Sequence, residues 1–203
     1  MAGHERVWVA RRIDIARHWI TIHPAPGLRP SRAGRALFME LYGDVFEHSP
    51  WIAAETHARG LGPGHDTANG LAAAMADVMR AAPRERKLAL IAAHPDLAGR
   101  LALATLTTDS QAEQASAGLD SLSGEERDRF LALNDAYKAK FGFPFIMAVR
   151  GRSKQDILAA FEERLEHDPE QEFDRALSEI ETIAYLRLAQ RLPSLADAMP
   201  QVG

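Results

Sequence analysis

From Arg35 onward, apolar residues recur at helical spacing. Leu37, Phe38, Leu41, Tyr42, Val45 and Phe46 follow i, i+3, i+4 steps, which predicts a helix with one apolar face. Ser49-Pro50 ends it, and Pro50 opens a second helix carrying Trp51 and Ile52, because proline suits a first helical turn. Gly60 to Gly64 reads as a loop, after which Asp66 or Thr67 caps a helix bearing Leu71, Met75 and Val78. Pro83 starts another with Leu88 and Ile91, and it ends before Pro95. Thr108 to Gln111 and Ser123 to Glu126 each fit a capping box, and Phe130, Leu133 and Tyr137 line the helix after Ser123. Gly142-Phe143-Pro144-Phe145-Ile146 interrupts the helical period, as a buried loop or a short extended segment. Ser153 caps a helix with Ile157, Phe161 and Leu165, and Asp168-Pro169 opens a last long one that stops near Pro193. Seven or eight helices with no strand ladder predict an all-α, single-domain helical bundle.

Residues 1–34 do not share this pattern. They alternate weakly (Val7, Val9; Ile20, Ile22) and end among Pro24, Pro26, Gly27 and Pro30. Residues 1–35 hold seven arginines against Glu5 and Asp14, a formal +5, which leaves −9 for the rest of a chain of net charge −4. The expected organisation is a basic, poorly structured extension over 1–34, a helical domain over 35–195 that carries any chemistry, and a tail over 196–203. An Arg-rich, acid-poor start also resembles an organelle transit peptide.

Composition then removes several classes of function. No run of about 18 apolar residues exists to span a membrane as a helix, and no apolar core near the N-terminus marks a secretory signal. The chain has no cysteine, which excludes disulfides, thiolate nucleophiles and cysteine-ligated metals. Its overall acidity argues against a nucleic-acid binder. His-Glu-x-x-His, Glu-x-x-His and a glycine-rich phosphate loop are all missing, and His48, His57 and His65 fall around turns, so no metal site is expected.

Three features remain that packing alone does not explain. His94 closes the apolar run Leu88 to Ala93 and precedes Pro95, so its imidazole sits at a helix C-terminus on the edge of the core. It is either a cap for free carbonyls or a proton carrier near neutrality. Ser110, Glu113 and Gln114 share one face of a helix start, together with unpaired backbone N–H groups. They form either a solvated first turn or a cradle for a small ligand with urea-like N–H and C=O groups. On the last helix, Phe173, Leu177, Ile180 and Ala184 make an apolar stripe whose next step is Arg187. A guanidinium on that stripe requires an anion: Glu113, another structural partner, or the carboxylate of a ligand. Arg191, one turn on, is expected to emerge into solvent.

At these residues the sequence resembles the 2-oxo-4-hydroxy-4-carboxy-5-ureidoimidazoline (OHCU) decarboxylase family. The motifs that carry the likeness begin with Phe46-Glu47-His48-Ser49-Pro50-Trp51, His94-Pro95-Asp96-Leu97-Ala98-Gly99 and Ser110-x-x-Glu113-Gln114-x-x-Ala117-Gly118-Leu119. They continue with Asn134-x-x-Tyr137-x-x-Lys140-Phe141-Gly142-Phe143-Pro144-Phe145-Ile146 and Tyr185-Leu186-Arg187-Leu188, in register over about residues 35–192. The resemblance implies an all-α homodimer without cofactor or metal that decarboxylates OHCU to (S)-allantoin in urate breakdown. It implies that His94 is the catalytic acid/base, with Glu113 and Arg187 beside it. Pro95 lines the site. Ser110, Gln111, Ala112, Glu113 and Gln114 hold the ureido and ring amide groups, and Arg187 binds the substrate carboxylate. Phe145, Ile146, Met147, Ala148 and Val149 give backbone contacts and an apolar wall. A cytoplasmic enzyme whose partner is a small ureide, with neither nucleic acid nor membrane involved, follows as the default. The first 30 or so residues find no counterpart in the family's pattern, and the C-terminal Gln201-Val202-Gly203 is not a peroxisomal Ser-Lys-Leu-type signal.

Two other readings compete. One is a decarboxylase or lyase of a related ureide, since the motifs position chemistry without fixing the ring. The other is a non-catalytic helical interaction protein, which would leave His94, Glu113 and Arg187 scattered rather than convergent on one cavity.

Overall fold

The computed structural model describes residues 29–95, 97 and 123–192. Among them are seven α-helices, two short 3-10 turns and no strand, so the fold is all-α. The helices are α1 (Arg35–Tyr42), α2 (Pro50–Ala58), α3 (Ala68–Ala81), α4 (Arg84–Ala93), α5 (Gly124–Phe141), α6 (Lys154–Leu165) and α7 (Pro169–Ala189). The long α7 is the hub: α3 and α4 pack on it, α1, α2 and α3 pack in succession, and α5 pairs with α6.

Local chemistry explains most boundaries. Thr67 Oγ1 accepts from the Gly70 N–H at 3.2 Å and starts α3. Full capping boxes start α5 (Ser123 with Glu126), α6 (Ser153 with Asp156) and α7 (Asp168 with Gln171). Gly142 ends α5 in the left-handed region at φ 76°, its N–H donating back to the Lys138 carbonyl at 2.9 Å. A side chain at Gly70 would place its Cβ 1.8 Å from the Gly64 carbonyl oxygen, so only glycine lets α3 rest against the Pro63–Asp66 turn.

Three expectations change. First, α1 stops at Tyr42, and Val45 and Phe46 are buried from the following turn rather than from the helix. Leu37 is 39% exposed and Leu88 37%, so the buried positions are Phe38 and Tyr42 in α1 and Leu90 and Ile91 in α4. Second, residues 29–34 belong to the described structure, although the helical pattern starts at Arg35. Pro30–Arg32 forms a 3-10 turn with Pro30 buried, and the Ser31 N–H and Oγ donate to the two Asp66 carboxylate oxygens, each at 2.9 Å. Third, Arg191 folds back instead of facing solvent. Its Nη1 donates to the Leu41 carbonyl at 2.8 Å and to Asp44 at 2.6 Å. The 1–28 segment, the Thr108–Gln111 capping box and the 196–203 tail lie outside the described residues.

The core runs through every helix, with Phe38, Ile52, Leu71, Met75, Ile91, Phe130, Tyr137 and Phe161 all at most 1% exposed. Each such side chain contributes about 1.5–3 kcal/mol on burial. Phe145, on the loop after α5, stacks on Phe161 of α6 with ring centroids 3.7 Å apart, and the Tyr137 ring meets it edge-on at 5.1 Å. The interrupted segment is therefore a buried loop, pinned to the core by its aromatic residue.

Candidate active site

His94 follows the last residue of α4 with extended backbone angles (φ −67°, ψ 133°), as a residue before proline requires. Its imidazole is 5% exposed, and Nδ1 lies 3.1 Å from the Leu90 carbonyl oxygen. A carbonyl only accepts, so Nδ1 carries the hydrogen and proton exchange falls to Nε2. The capping and chemical readings of this residue are thus compatible, since the cap bond orients the ring.

Arg187 reaches the same place from α7. Its side chain is 3% exposed, with Nη2 3.1 Å from Glu47 Oε2 and Nη1 donating to the Val45 carbonyl at 3.3 Å. The described anion on Arg187 is therefore Glu47, in the turn between α1 and α2. Glu113, the partner weighed from sequence, lies outside the described residues, as do Ser110, Gln111, Ala112 and Gln114. Glu47 precedes His48, the one described non-glycine residue with positive φ (56°). That kinked backbone lies between the end of α1 and the start of α2, and Glu47 itself is 5% exposed.

Between these groups lies a narrow pocket. Its enclosed space is about 20 Å³, within about 350 Å³ of empty volume that opens to solvent. His94, Pro95 and Leu97 form one side, Phe145, Ile146, Met147 and Val149 another, and Ile183 and Arg187 close it from α7. The imidazole and the guanidinium thus converge on one cavity with the loop after α5. Ala148, named with that loop from sequence, does not line the pocket; its N–H instead donates to Glu179 Oε2 of α7 at 2.8 Å. Among the described residues no cluster of three histidines or carboxylates could hold a metal ion.

Behind the loop sits a buried polar cluster of which the motifs named only Tyr137. Arg164 of α6 donates from Nη1 to the Ile146 carbonyl at 2.7 Å and from Nε to Glu172 Oε1 at 2.8 Å. Glu172 also accepts from the Tyr137 hydroxyl and pairs with His167 Nδ1 at 2.8 Å. The Arg164 guanidinium stacks over the Phe145 ring, 4.3 Å from its centroid. Burial pushes the Tyr137 hydroxyl above the ordinary tyrosine range, opposed by the neighbouring Arg164 charge. A sequence signal existed for Glu172 and for Glu179. Stepping back from Arg187 by fours and threes gives Ile183, Glu179, Ala176 and Glu172, a stripe beside the apolar one, on which charged residues recur although every member is buried or half-buried.

Comparison with known proteins bears on the family and the fold. The OHCU decarboxylase family pattern matches residues 31–189. A 2-oxo-4-hydroxy-4-carboxy-5-ureidoimidazoline decarboxylase of Haloferax volcanii is 45% identical over 157 residues, covering 77% of this chain and 90% of that protein. A uric acid degradation bifunctional protein of Bacillus subtilis is 46% identical over 147 residues, 72% of this chain and 28% of that one. A crystal structure of (S)-allantoin synthase superposes with a TM-score of 0.62 at 33% identity, covering 79% of this chain and 51% of that one. With the match spanning most of the domain and the helices arranged alike, the chain belongs to the OHCU decarboxylase family.

Proposed function

We propose that the protein decarboxylates 2-oxo-4-hydroxy-4-carboxy-5-ureidoimidazoline to (S)-allantoin, a step of urate breakdown, with His94 as the acid/base. The observation that carries this is the convergence of His94 and Arg187 on one narrow pocket, with the imidazole already oriented through Nδ1.

The substrate supplies its own electron sink. As the bond from C4 to the carboxylate breaks and CO₂ leaves, the electron pair forms C4=C5. The former C5=N pair moves onto nitrogen, which takes up a proton. The 4-hydroxyl then gives up its proton as C4=O forms, and C5 gains one on a single face. The protein needs only to orient the breaking bond across the ring plane, exclude water and move protons. Nε2 of His94 is the group for that last task. Arg187, steadied by Glu47, binds the carboxylate region, and Phe145, Ile146, Met147 and Val149 form the wall. Ser110, Gln111, Ala112, Glu113 and Gln114 complete the set by holding the ureido group, with Glu113 beside the reacting centre. The same reading extends to a cytoplasmic homodimer that acts on a small ureide without nucleic acid or membrane as partner. No described helix is long and apolar enough to cross a membrane.

The test supplies OHCU freshly made from urate by an oxidase and a hydrolase and follows optically active allantoin by circular dichroism. The wild-type protein accelerates its formation, and H94A and H94N lose about 10²–10⁴-fold in kcat while keeping their helical spectrum. A histidine variant that makes (S)-allantoin at the wild-type rate refutes the assignment.

A further inference from the structure

We infer that Glu179, together with the Arg164–Glu172 pair, positions the pocket loop against α7 and so sets how tightly the substrate is held; this rests on the decarboxylase reading above. The loop is fixed at two backbone atoms on either side of Met147. The Ile146 carbonyl accepts from Arg164 Nη1 at 2.7 Å, and the Ala148 N–H donates to Glu179 Oε2 at 2.8 Å. Arg164 is itself held by Glu172, so both anchors lead to α7. Glu172 and Glu179 lie two helical turns apart on one face, and Arg187 lies about two turns further along. The helix α7 therefore carries Glu179, which anchors the loop directly, Glu172, which holds the second anchor Arg164 of α6, and the pocket's guanidinium. At Ala148 the distance from loop to guanidinium is set along α7 alone, and at Ile146 through the buried pair that joins α6 to α7.

Stability alone gives a poor account of this arrangement. Glu172 is fully buried and Glu179 is 8% exposed. Burying a carboxylate carries a desolvation cost that an apolar residue of similar size avoids. A carboxylate that spends an oxygen on one backbone N–H of a pocket-lining loop instead fixes geometry. Glu179 is kept in place by Arg175, whose Nη2 meets its Oε1 at 2.7 Å. None of these residues lines the pocket. They act through the loop and are positioning residues.

The experiment compares E179A, E179D and E179Q with wild type for KM and kcat on OHCU and, without substrate, for hydrogen exchange at the Ala148 amide. E179A removes the acceptor and E179D shortens its reach. Both raise KM about 10-fold, change kcat less, and speed Ala148 exchange by a similar factor, as loss of a hydrogen bond to a charged group implies. In E179Q the amide oxygen still accepts, and KM stays within about 2-fold of wild type. R80A is the control: it cuts the Arg80–Glu181 pair between α3 and α7, away from the pocket, and lowers the melting temperature without moving KM. If E179A fails to fold, E179D decides. Wild-type KM in E179A or E179D overturns the inference, whether or not Ala148 exchange or the melting temperature changes. A wild-type protein inactive on OHCU would sink the decarboxylase reading, while unchanged Ala148 exchange in E179A would still by itself overturn the anchoring.

Discussion

Loss of the Glu172 carboxylate is expected to cost stability. The Glu172 side chain is 0% exposed and Arg164 beside it is 3% exposed. Glu172→Ala would strand a guanidinium in the interior and take an acceptor from the Tyr137 hydroxyl and from His167. Breaking a buried ion pair from one side costs about 3–5 kcal/mol. A domain of this kind holds only about 5–15 kcal/mol in total. At about 2–4 °C per kcal/mol for a chain of this length, the melting temperature falls by about 6–20 °C. Circular dichroism melts and urea titrations read the change directly. The double variant R164M/E172L swaps the pair for apolar side chains. It should lose about 2 kcal/mol less than the two single changes added together, because neither charge is left alone. The remaining loss reflects the Ile146 carbonyl, which no longer has its donor. An E172A protein within 1 kcal/mol of wild type, or strict additivity in the double variant, would show that the pair holds nothing together.

Two pH predictions follow from the caps and the core. Lys154 and the Ser123 N–H hold the Glu126 carboxylate below its ordinary value of 4.5, and the Ser153 N–H holds Asp156 below 3.8. Their stabilisation is full above those ordinary values and is lost as pH falls through the lower native ones. E126Q/D156N should therefore flatten the acid side of a urea-midpoint profile, where the native protein loses this stabilisation. At the other end, burial pushes the Tyr42 hydroxyl up to about 12, with Asp66 adding to the rise and Arg191 opposing it. The unfolded chain releases that proton near pH 10, so stability declines as pH climbs from 10 towards 12, and Y42F reduces the decline. An alkaline profile identical in Y42F and wild type would contradict the burial argument.

Most helix starts were readable because their chemistry is local. Thr67, Ser123, Ser153 and Asp168 bond to their own first turns, and Pro50 and Pro169 fit there whatever lies nearby. The exposed faces were less readable. Spacing shows that a helix has an apolar side, but which residue at the margin of that side meets a neighbour depends on how the helices cross. Leu37 and Leu88 sit at such margins and face solvent. Arg187 stood out in sequence because it breaks an apolar stripe. Its partner Glu47 did not, since the ion pair joins residues 140 apart across a turn that no periodicity describes. Glu179 escaped notice for a similar reason: its acceptor role faces a loop, and loops carry no period.

The clasp at the far end of α7 also shapes how the molecule assembles. Arg187 bonds to a carbonyl 142 residues earlier, and Arg191 to one 150 residues earlier. The pairings of α1 with α2 and of α5 with α6 close over short stretches of chain and form early, as in most helical proteins. The union of α7 with the α1–α2 turn closes a loop 142 residues long, so its entropic cost exceeds that of the local pairings, although that cost grows only with the logarithm of loop length. Folding that follows contact separation seats the pocket's guanidinium after the local helix pairs, so a stopped-flow record would show far-ultraviolet helical signal before this long-range contact is made.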